Sequence, residues 1–372
     1  MFRDAEIARI LMALNDGKSI LITGIRRTGK TSVVREVLTR QENESPVKYL
    51  DVQDYISLEA FYRDILEQMP HGVVEKLINK LARAHLIPDR LFKWLGQRIN
   101  KVTTEGAEVD FNPPDGSLLR YWEVLVDQLT DILKKFPPKK IAVIGIDELP
   151  FMLENLLDRG TNIEDLIIAL ASLRKLRDSG LRIIITGSIS MENLLSIHGI
   201  PHTVLGGLWR ELIPPFTKSE ARTYLHSNLS GKFAQNSEVL DIVLDKIPDY
   251  IPEFLYFCVT HLSLCSDIEA CKNSINKEVL PKIRRSFLYQ FDERLIKNYS
   301  EKELKVAEDI LDIIARGGHE GSKIDGSKLS GGYKKVLVKL QFDNFIIDGA
   351  NFNWRFTLQL LKQWWSASRG IV

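Results

Sequence analysis

Cysteine is scarce in this chain, with only Cys258, Cys265 and Cys271 among 372 residues. An odd number without CxxC spacing argues against a disulfide framework or a thiol-held metal, and buried free thiols are the expectation. An excess of one charge is also missing. The 50 basic and 49 acidic side chains leave a net charge of +1, which argues against a polyanion-coating role while leaving room for a local basic patch. No apolar run approaches the roughly 18 residues of a membrane span. The leading residues Met1, Phe2, Arg3, Asp4, Ala5 and Glu6 are too charged for a secretory signal. Neither internal repeats nor low-complexity segments occur, so the expected compartment is the cytoplasm and no membrane partner is expected. What remains is an ordinary globular composition, 44% hydrophobic and 27% charged, long enough for about two to three domains.

Ile20-Leu21-Ile22 reads as a short buried strand. It runs into Gly24-Ile25-Arg26-Arg27-Thr28-Gly29-Lys30-Thr31, which has the Gly-x-x-x-x-Gly-Lys-Thr pattern of a phosphate-binding loop. A helix follows, with Val33, Val34, Val37 and Leu38 on one face. Gly24 and Gly29 let the backbone bend until successive N–H groups point at phosphate oxygens. Lys30 places an ammonium on the β/γ-phosphates of ATP, and the Thr31 hydroxyl can ligate Mg²⁺. The positive end of the helix adds to the attraction.

A second anchor is the unbroken apolar run from Ile141 to Ile146, as expected for a central parallel strand, ending in Asp147 and Glu148. Asp147 can hold Mg²⁺ directly or through water, and Glu148 can polarise a water for attack on the γ-phosphate. The expected pocket sets Lys30 against these two carboxylates across neighbouring strand tips. The run from Leu181 to Thr186 reads as a third central strand, continuing into Gly187 and Ser188. Thr186 or Ser188 would sit near the γ-phosphate, although Ser188 is equally suited to capping the next helix.

The remaining chain supplies the frame. Helices are expected over 5–16, 57–69, 117–136 and 163–178, with strands at 47–51 and 210–215. Residues from about 70 to 115 read as an insertion, helical to about 98, with a hairpin over 102–111 and a turn at 113–116. Strands alternating with helices predict a doubly wound parallel sheet with its ligand at the carboxyl ends of the strands. From Thr217 onward only helices are expected, over 218–228, 236–246, 251–264 and 273–290, forming a lid. A capping box at Ser300 and Glu303 opens a further helix to Ala315. A helix over 328–340 and two strands over 345–356 then fit a winged helix. Lys334, Lys335 and Lys339 would lie off the apolar face of its recognition helix, either as duplex DNA contacts or as a solvated face.

These motifs together resemble the archaeal-type P-loop ATPases of the AAA+/STAND group. Their signature combines a leading acidic/arginine motif, a G-x-R-R-x-G-K-[ST] loop, a hydrophobic strand ending in D-E, a strand ending in G-S, a helical lid and a terminal winged helix. This chain matches with Phe2-Arg3-Asp4-Ala5-Glu6, the loop from Gly24 to Thr31, Asp147-Glu148, Gly187-Ser188, and Phe352-Asn353-Trp354-Arg355-Phe356 leading to Trp364-Trp365. The resemblance spans nearly everything except the insertion. It implies an α/β P-loop NTPase (AAA+-like) core over 1–216, a lid over 217–295 and a winged-helix domain over 296–372. It also implies that ATP and Mg²⁺ bind, that ATP is hydrolysed, and that nucleotide state drives conformational change and assembly with itself or a protein partner. Arg3 would lie near the adenine, as would Pro252, and the nucleotide-contacting set would take in Arg26, Arg27, Thr28 and Ser32. Arg210 would approach a phosphate as an arginine finger, in cis or across a subunit interface, unless it is a strand-edge ion pair. Three readings are weighed: an ATP-driven switch, an initiator-like DNA-binding protein licensed by ATP, and a scaffold whose winged helix packs on its own lid.

Overall fold

The structure, a computed structural model, describes residues 2–101, 116–188, 190–230, 233, 236–317, 321–324, 332–348 and 353–371, with 97–101 as backbone only. The expected hairpin over 102–111 lies outside these residues, as does the turn that follows it except Gly116. The chain forms two compact units: one of Arg3–Thr23 and Lys30–Leu212, the other of Phe2, Gly24–Gly29 and Ile213–Val372.

In the first unit the order is α1 (Asp4–Asn15), β1 (Ser19–Thr23), α2 (Lys30–Gln41), β2 (Val47–Asp51), α3 (Leu58–Glu67), α4 (His71–Ala84), α5 (Asp89–Lys101) and α6 (Ser117–Leu133). There follow β3 (Val143–Asp147), α7 (Leu149–Asp158), α8 (Ile163–Asp178), β4 (Arg182–Thr186), α9 (Met191–Ile197) and β5 (Leu208–Leu212). The five strands form one sheet in the order β2-β3-β4-β1-β5, every pairing parallel. This corrects one expectation: the strands carrying Lys30's loop and Asp147 are not neighbours, because β4 runs between them. Two strand spacings, roughly 10 Å, therefore separate the tips. β5 also starts two residues earlier than expected and stops before Pro214 and Pro215, which have no N–H to give to a ladder.

Strand alternation divides the sheet into two faces. Ile144, Ile146, Ile183 and Ile185 join a core shared with α6 and α8. The inserted helices α4 and α5 enter the same core through Val73, Leu77, Leu81, Leu91, Trp94 and Leu95. There Trp122 of α6 stacks on Tyr62 of α3, with centroids 4.0 Å apart and planes 6° from parallel. The opposite face carries α2. It seats closely because Gly145 of β3 has no side chain, and an added Cβ would come within 2.8 Å of Val34 and 2.9 Å of Leu38.

The second unit contains α10 (Lys218–Asn228), α11 (Ser237–Lys246), α12 (Pro252–Leu262), α13 (Ile268–Ser274) and α14 (Leu280–Asn298). It continues with α15 (Glu301–Arg316), α16 (Tyr333–Phe342), β6 (Ile346–Asp348), β7 (Trp354–Phe356) and α17 (Gln359–Arg369). A π turn, Ile275–Val279, joins α13 to α14 just before Pro281, where the wider turn accommodates a residue without an N–H. The expected capping box at Ser300/Glu303 forms, and a second one forms at Thr217/Glu220. β6 and β7 pair antiparallel as a hairpin. Beyond it, α17 is capped from a distance: the half-buried Asp249 carboxylate accepts the N–H groups of Gln359 and Leu360, at 3.0 and 2.8 Å. Among the described residues no helix is long and apolar enough to cross a membrane.

Lys339 requires a second correction. Counting from Val336, it falls on the same helical face as Leu340 and is 8% exposed. Its ammonium lies 3.1 Å from Glu303 and 4.6 Å from the centre of the Tyr299 ring. Lys335 also reaches Glu303, at 3.3 Å, while Lys334 is exposed. Burial by itself would raise the Glu303 carboxyl, but the Ser300 N–H and the two lysines outweigh it and hold the group at about 2. Lys339 is thus an internal counter-charge, placed there because its apolar stem packs while its ammonium finds an acid.

Candidate nucleotide site

Register and helix pitch bring the predicted residues of the first unit together. In a strand alternate residues share a face, so Asp147 points to the side of Gly145, the side that α2 covers. α2 opens at Lys30, one turn before Val34, and that turn rises about 6 Å. Asp147 lies two residues beyond Gly145, about 6.6 Å along the strand. Because the helix runs back against the strands, both displacements point to the carboxyl edge of the sheet. Lys30 and Asp147 are both buried, at 7% and 3% exposure. Thr186 completes the row. β4 pairs Ile184 with Gly145 and Ile185 with Ile146, so Thr186 follows beside Asp147 on the same face. Its hydroxyl oxygen is buried with no hydrogen-bond partner in the structure.

Each carboxylate of the pair is held separately. Asp147 Oδ2 accepts the Tyr49 hydroxyl at 2.8 Å, and Oδ1 accepts the Glu148 N–H at 3.1 Å. Burial, reinforced by the hydrogen bond to Asp147, pushes the Tyr49 phenol up to about 12, so it remains a donor. Glu148 adopts left-handed backbone, with φ 60° and ψ 29°, as the chain turns into α7. Its Oε2 accepts both the N–H and the hydroxyl of Ser188, each at 2.8 Å. The Ser188 hydroxyl is therefore given to Glu148, and the helix after β4 is capped by Ser190, which accepts the Asn193 N–H. Gly187 precedes Ser188 for a steric reason: a Cβ there would lie 2.6 Å from the Pro150 ring of α7.

The loop residues Gly24–Gly29 cluster with the second unit. Gly24 has φ 137°, and a Cβ would fall 2.5 Å from the Ile213 carbonyl oxygen, so only glycine fits. Gly29 has φ 91° and open space where a Cβ would be. Thr28 is buried and donates to the Ile25 carbonyl at 2.9 Å, turning its hydroxyl into the loop itself. Arg27 adopts φ 73° and forms an ion pair with Glu253 in the first turn of α12, one residue after Pro252 at the helix start. Arg26 and Ser32 are exposed and Thr31 is half-buried. Phe2, Phe216 and Tyr224 form an aromatic triangle with centroids 5.5 to 5.9 Å apart.

Two further predicted residues, Arg3 and Arg210, belong to the first unit. Arg3, in left-handed backbone, is buried and lies 3.6 Å from Glu6. Arg210 is mid-strand in β5, paired in register with Leu21, and its guanidinium lies 3.0 Å from the buried Glu192. The ion-pair alternative is the one the structure displays, because β5 begins early enough to keep Arg210 from the sheet's carboxyl tip.

The residues fit a Mg–nucleotide. Lys30, the unmatched Thr186 hydroxyl and the two anchored carboxylates line one edge of the sheet. Thr31 and Asp147 are the residues that could hold Mg²⁺. Among the described residues no group of three or more His, Cys, Asp or Glu suits a metal, and a Mg²⁺ shared with phosphate oxygens needs none. Sequence reasoning missed Tyr49 and Gly145. A glycine inside an otherwise apolar strand was the available signal for close helix approach.

The family model described as an AAA domain matches residues 14–195. The comparison with curated proteins finds no match. Similar solved structures include the Aeropyrum pernix ORC2 protein in ADPNP–ADP complexes, 13% identical over 100% of this chain and 95% of that one, with TM-score 0.47. Cdc6p from Pyrobaculum aerophilum is 11% identical over 100% and 93%, with TM-score 0.39. AMPPCP-bound DnaA from Aquifex aeolicus is 12% identical over 90% and 75%, with TM-score 0.36. The phosphate loop, Asp147, Glu148, Thr186 and Ser188 all fall inside the matched segment, and the five-stranded parallel sheet with its flanking helices has the P-loop fold of the AAA+ type.

Proposed function

We propose that this protein binds ATP with Mg²⁺, hydrolyses it, and uses the difference between the two nucleotide states to switch conformation and assembly, as an ATPase of the AAA+/STAND kind. The observation that carries this reading is the row on the α2 side of the sheet: Lys30, the partnerless Thr186 hydroxyl and Asp147, with Glu148 held next to it by Ser188. A buried hydroxyl without a partner costs roughly 1–3 kcal/mol, and a phosphate oxygen or its water is a natural acceptor for it. Lys30 and the loop amides bind the β- and γ-phosphates, Thr31 and Asp147 hold the cation, and Glu148 takes a proton from the attacking water. Bound Mg²⁺ neutralises charge on the phosphates. The proposed division is a core over 1–216, a lid over 217–295 and a winged-helix domain over 296–372. The order α15, α16, hairpin supports the last of these. Duplex DNA is the alternative partner for that domain.

Lys30→Ala removes a charged hydrogen bond worth roughly 2–3 kcal/mol, so nucleotide affinity should fall about 30- to 150-fold. Glu148→Gln should bind ATP as the wild type does and turn it over roughly 100- to 1,000-fold more slowly. Fluorescent-nucleotide titration and steady-state phosphate release measure the two effects. Unchanged affinity in the lysine variant would reject the reading of the loop.

A further inference from the structure

We propose that Tyr49 is a positioning residue for the Asp147 carboxylate, fixing the orientation in which it meets a divalent cation; this rests on the Mg–nucleotide reading above. Tyr49 is mid-strand in β2, directly opposite Gly145 of β3. A parallel neighbour two residues further along is out of reach for most side chains but within reach of a phenol. Gly145 leaves the space, since an added Cβ would already lie 3.7 Å from the Tyr49 ring. The hydroxyl meets Asp147 Oδ2 at 2.8 Å. The guanidinium of Arg35, from the α2 turn after the phosphate loop, lies 4.7 Å from the centre of the ring. The phosphate-loop helix, through Arg35, and the metal-site strand thus meet on one aromatic side chain.

The choice of donor has a physical reason. An arginine or lysine in this place would hold the carboxylate too, but would cancel the charge that attracts the cation. A phenol donates one hydrogen bond and adds no charge. With the Glu148 N–H on the other oxygen, each carboxylate oxygen has one donor and one lone pair still open. Outer-shell partners of this type are typically worth about 10- to 100-fold in metal affinity.

The test uses the full-length protein carrying a bound fluorescent ADP or ATP analogue and titrates Mg²⁺ from an EDTA baseline, reading the metal-dependent change in nucleotide signal. Tyr49→Phe should raise the Mg²⁺ midpoint about tenfold while nucleotide affinity in EDTA and the thermal midpoint without ligand stay at wild-type values. Coincident Mg²⁺ midpoints in wild type and Tyr49→Phe, with nucleotide bound equally in EDTA, would overturn the role of Tyr49 and leave the nucleotide reading standing. A loss of EDTA-state affinity parallel to the metal effect would also overturn it, since that is the signature of a merely structural ring. A wild-type protein that binds no nucleotide under either condition overturns the reading on which the inference rests.

Discussion

In the proposed reaction Glu148 carries most of the chemistry at the residue scale, and its backbone is not one a glutamate prefers. Left-handed backbone costs an L-residue roughly 1–2 kcal/mol. The conformation persists where the surroundings over-determine it, and here the surroundings are Ser188 and the start of α7. Ser188 thus orients the proposed base. Ser188→Ala keeps the backbone N–H and removes the hydroxyl, so turnover should drop about tenfold with nucleotide affinity unchanged. Phosphate release measured beside nucleotide titration checks this, and equal turnover would mean that the N–H alone is sufficient. Nothing in the residue types at 187–188 distinguishes a γ-phosphate sensor, a helix cap and a holder of Glu148. The distinction is a matter of which acceptor lies closest, and the turn after β3 determines that.

At the element scale the site depends on how closely helices approach the sheet. Gly145 admits α2, and Gly187 admits α7 through Pro150. Overpacking at such a contact typically costs 1–3 kcal/mol. Gly187→Ala should therefore lower unfolding free energy by roughly that amount, because the opposing proline ring is rigid, and should also displace Glu148. Urea denaturation of the variant measures the first effect and phosphate release the second. A stability equal to wild type would show that α7 yields without cost. Legibility differed by element. Strands β1 to β4 and helices α2, α6 and α8 were readable because their apolar periods are strong and their ends carry specific residues. β5 was misplaced by two residues because an edge strand is buried on one side only, so its pattern is weak. The helix expected over 273–290 ran through Pro281, but the π turn that absorbs the proline and the extension from Ile268 to Asn298 were not legible.

For the whole molecule, the proposed switch predicts that ATP changes the mass of the wild-type particle measured by light scattering, and leaves the Lys30→Ala variant unchanged. The duplex alternative predicts affinity that falls steeply with salt, and a loss on neutralising Lys334 and Lys335 together. Lys339 drops out of that test, because its ammonium is committed to Glu303. Equal mass with and without ATP would remove assembly as the output of the switch. Salt-independent duplex binding would remove DNA.

Local patterns were enough to propose the chemistry: a glycine loop ending in lysine and threonine, and an apolar strand ending in two acids, are recognisable because phosphate and Mg²⁺ demand those residue types at adjacent positions. Tertiary structure alone decided that β4 separates the two anchors, that Tyr49 holds Asp147 and Ser188 holds Glu148, and that Arg210 is matched by the buried Glu192 and the buried Lys339 by Glu303. Such pairings join residues 40 and 98 positions apart in the two carboxylate contacts. A hydrogen bond depends on ångströms and angles between groups that only the packed sheet brings together, and spacing along the chain carries no record of them.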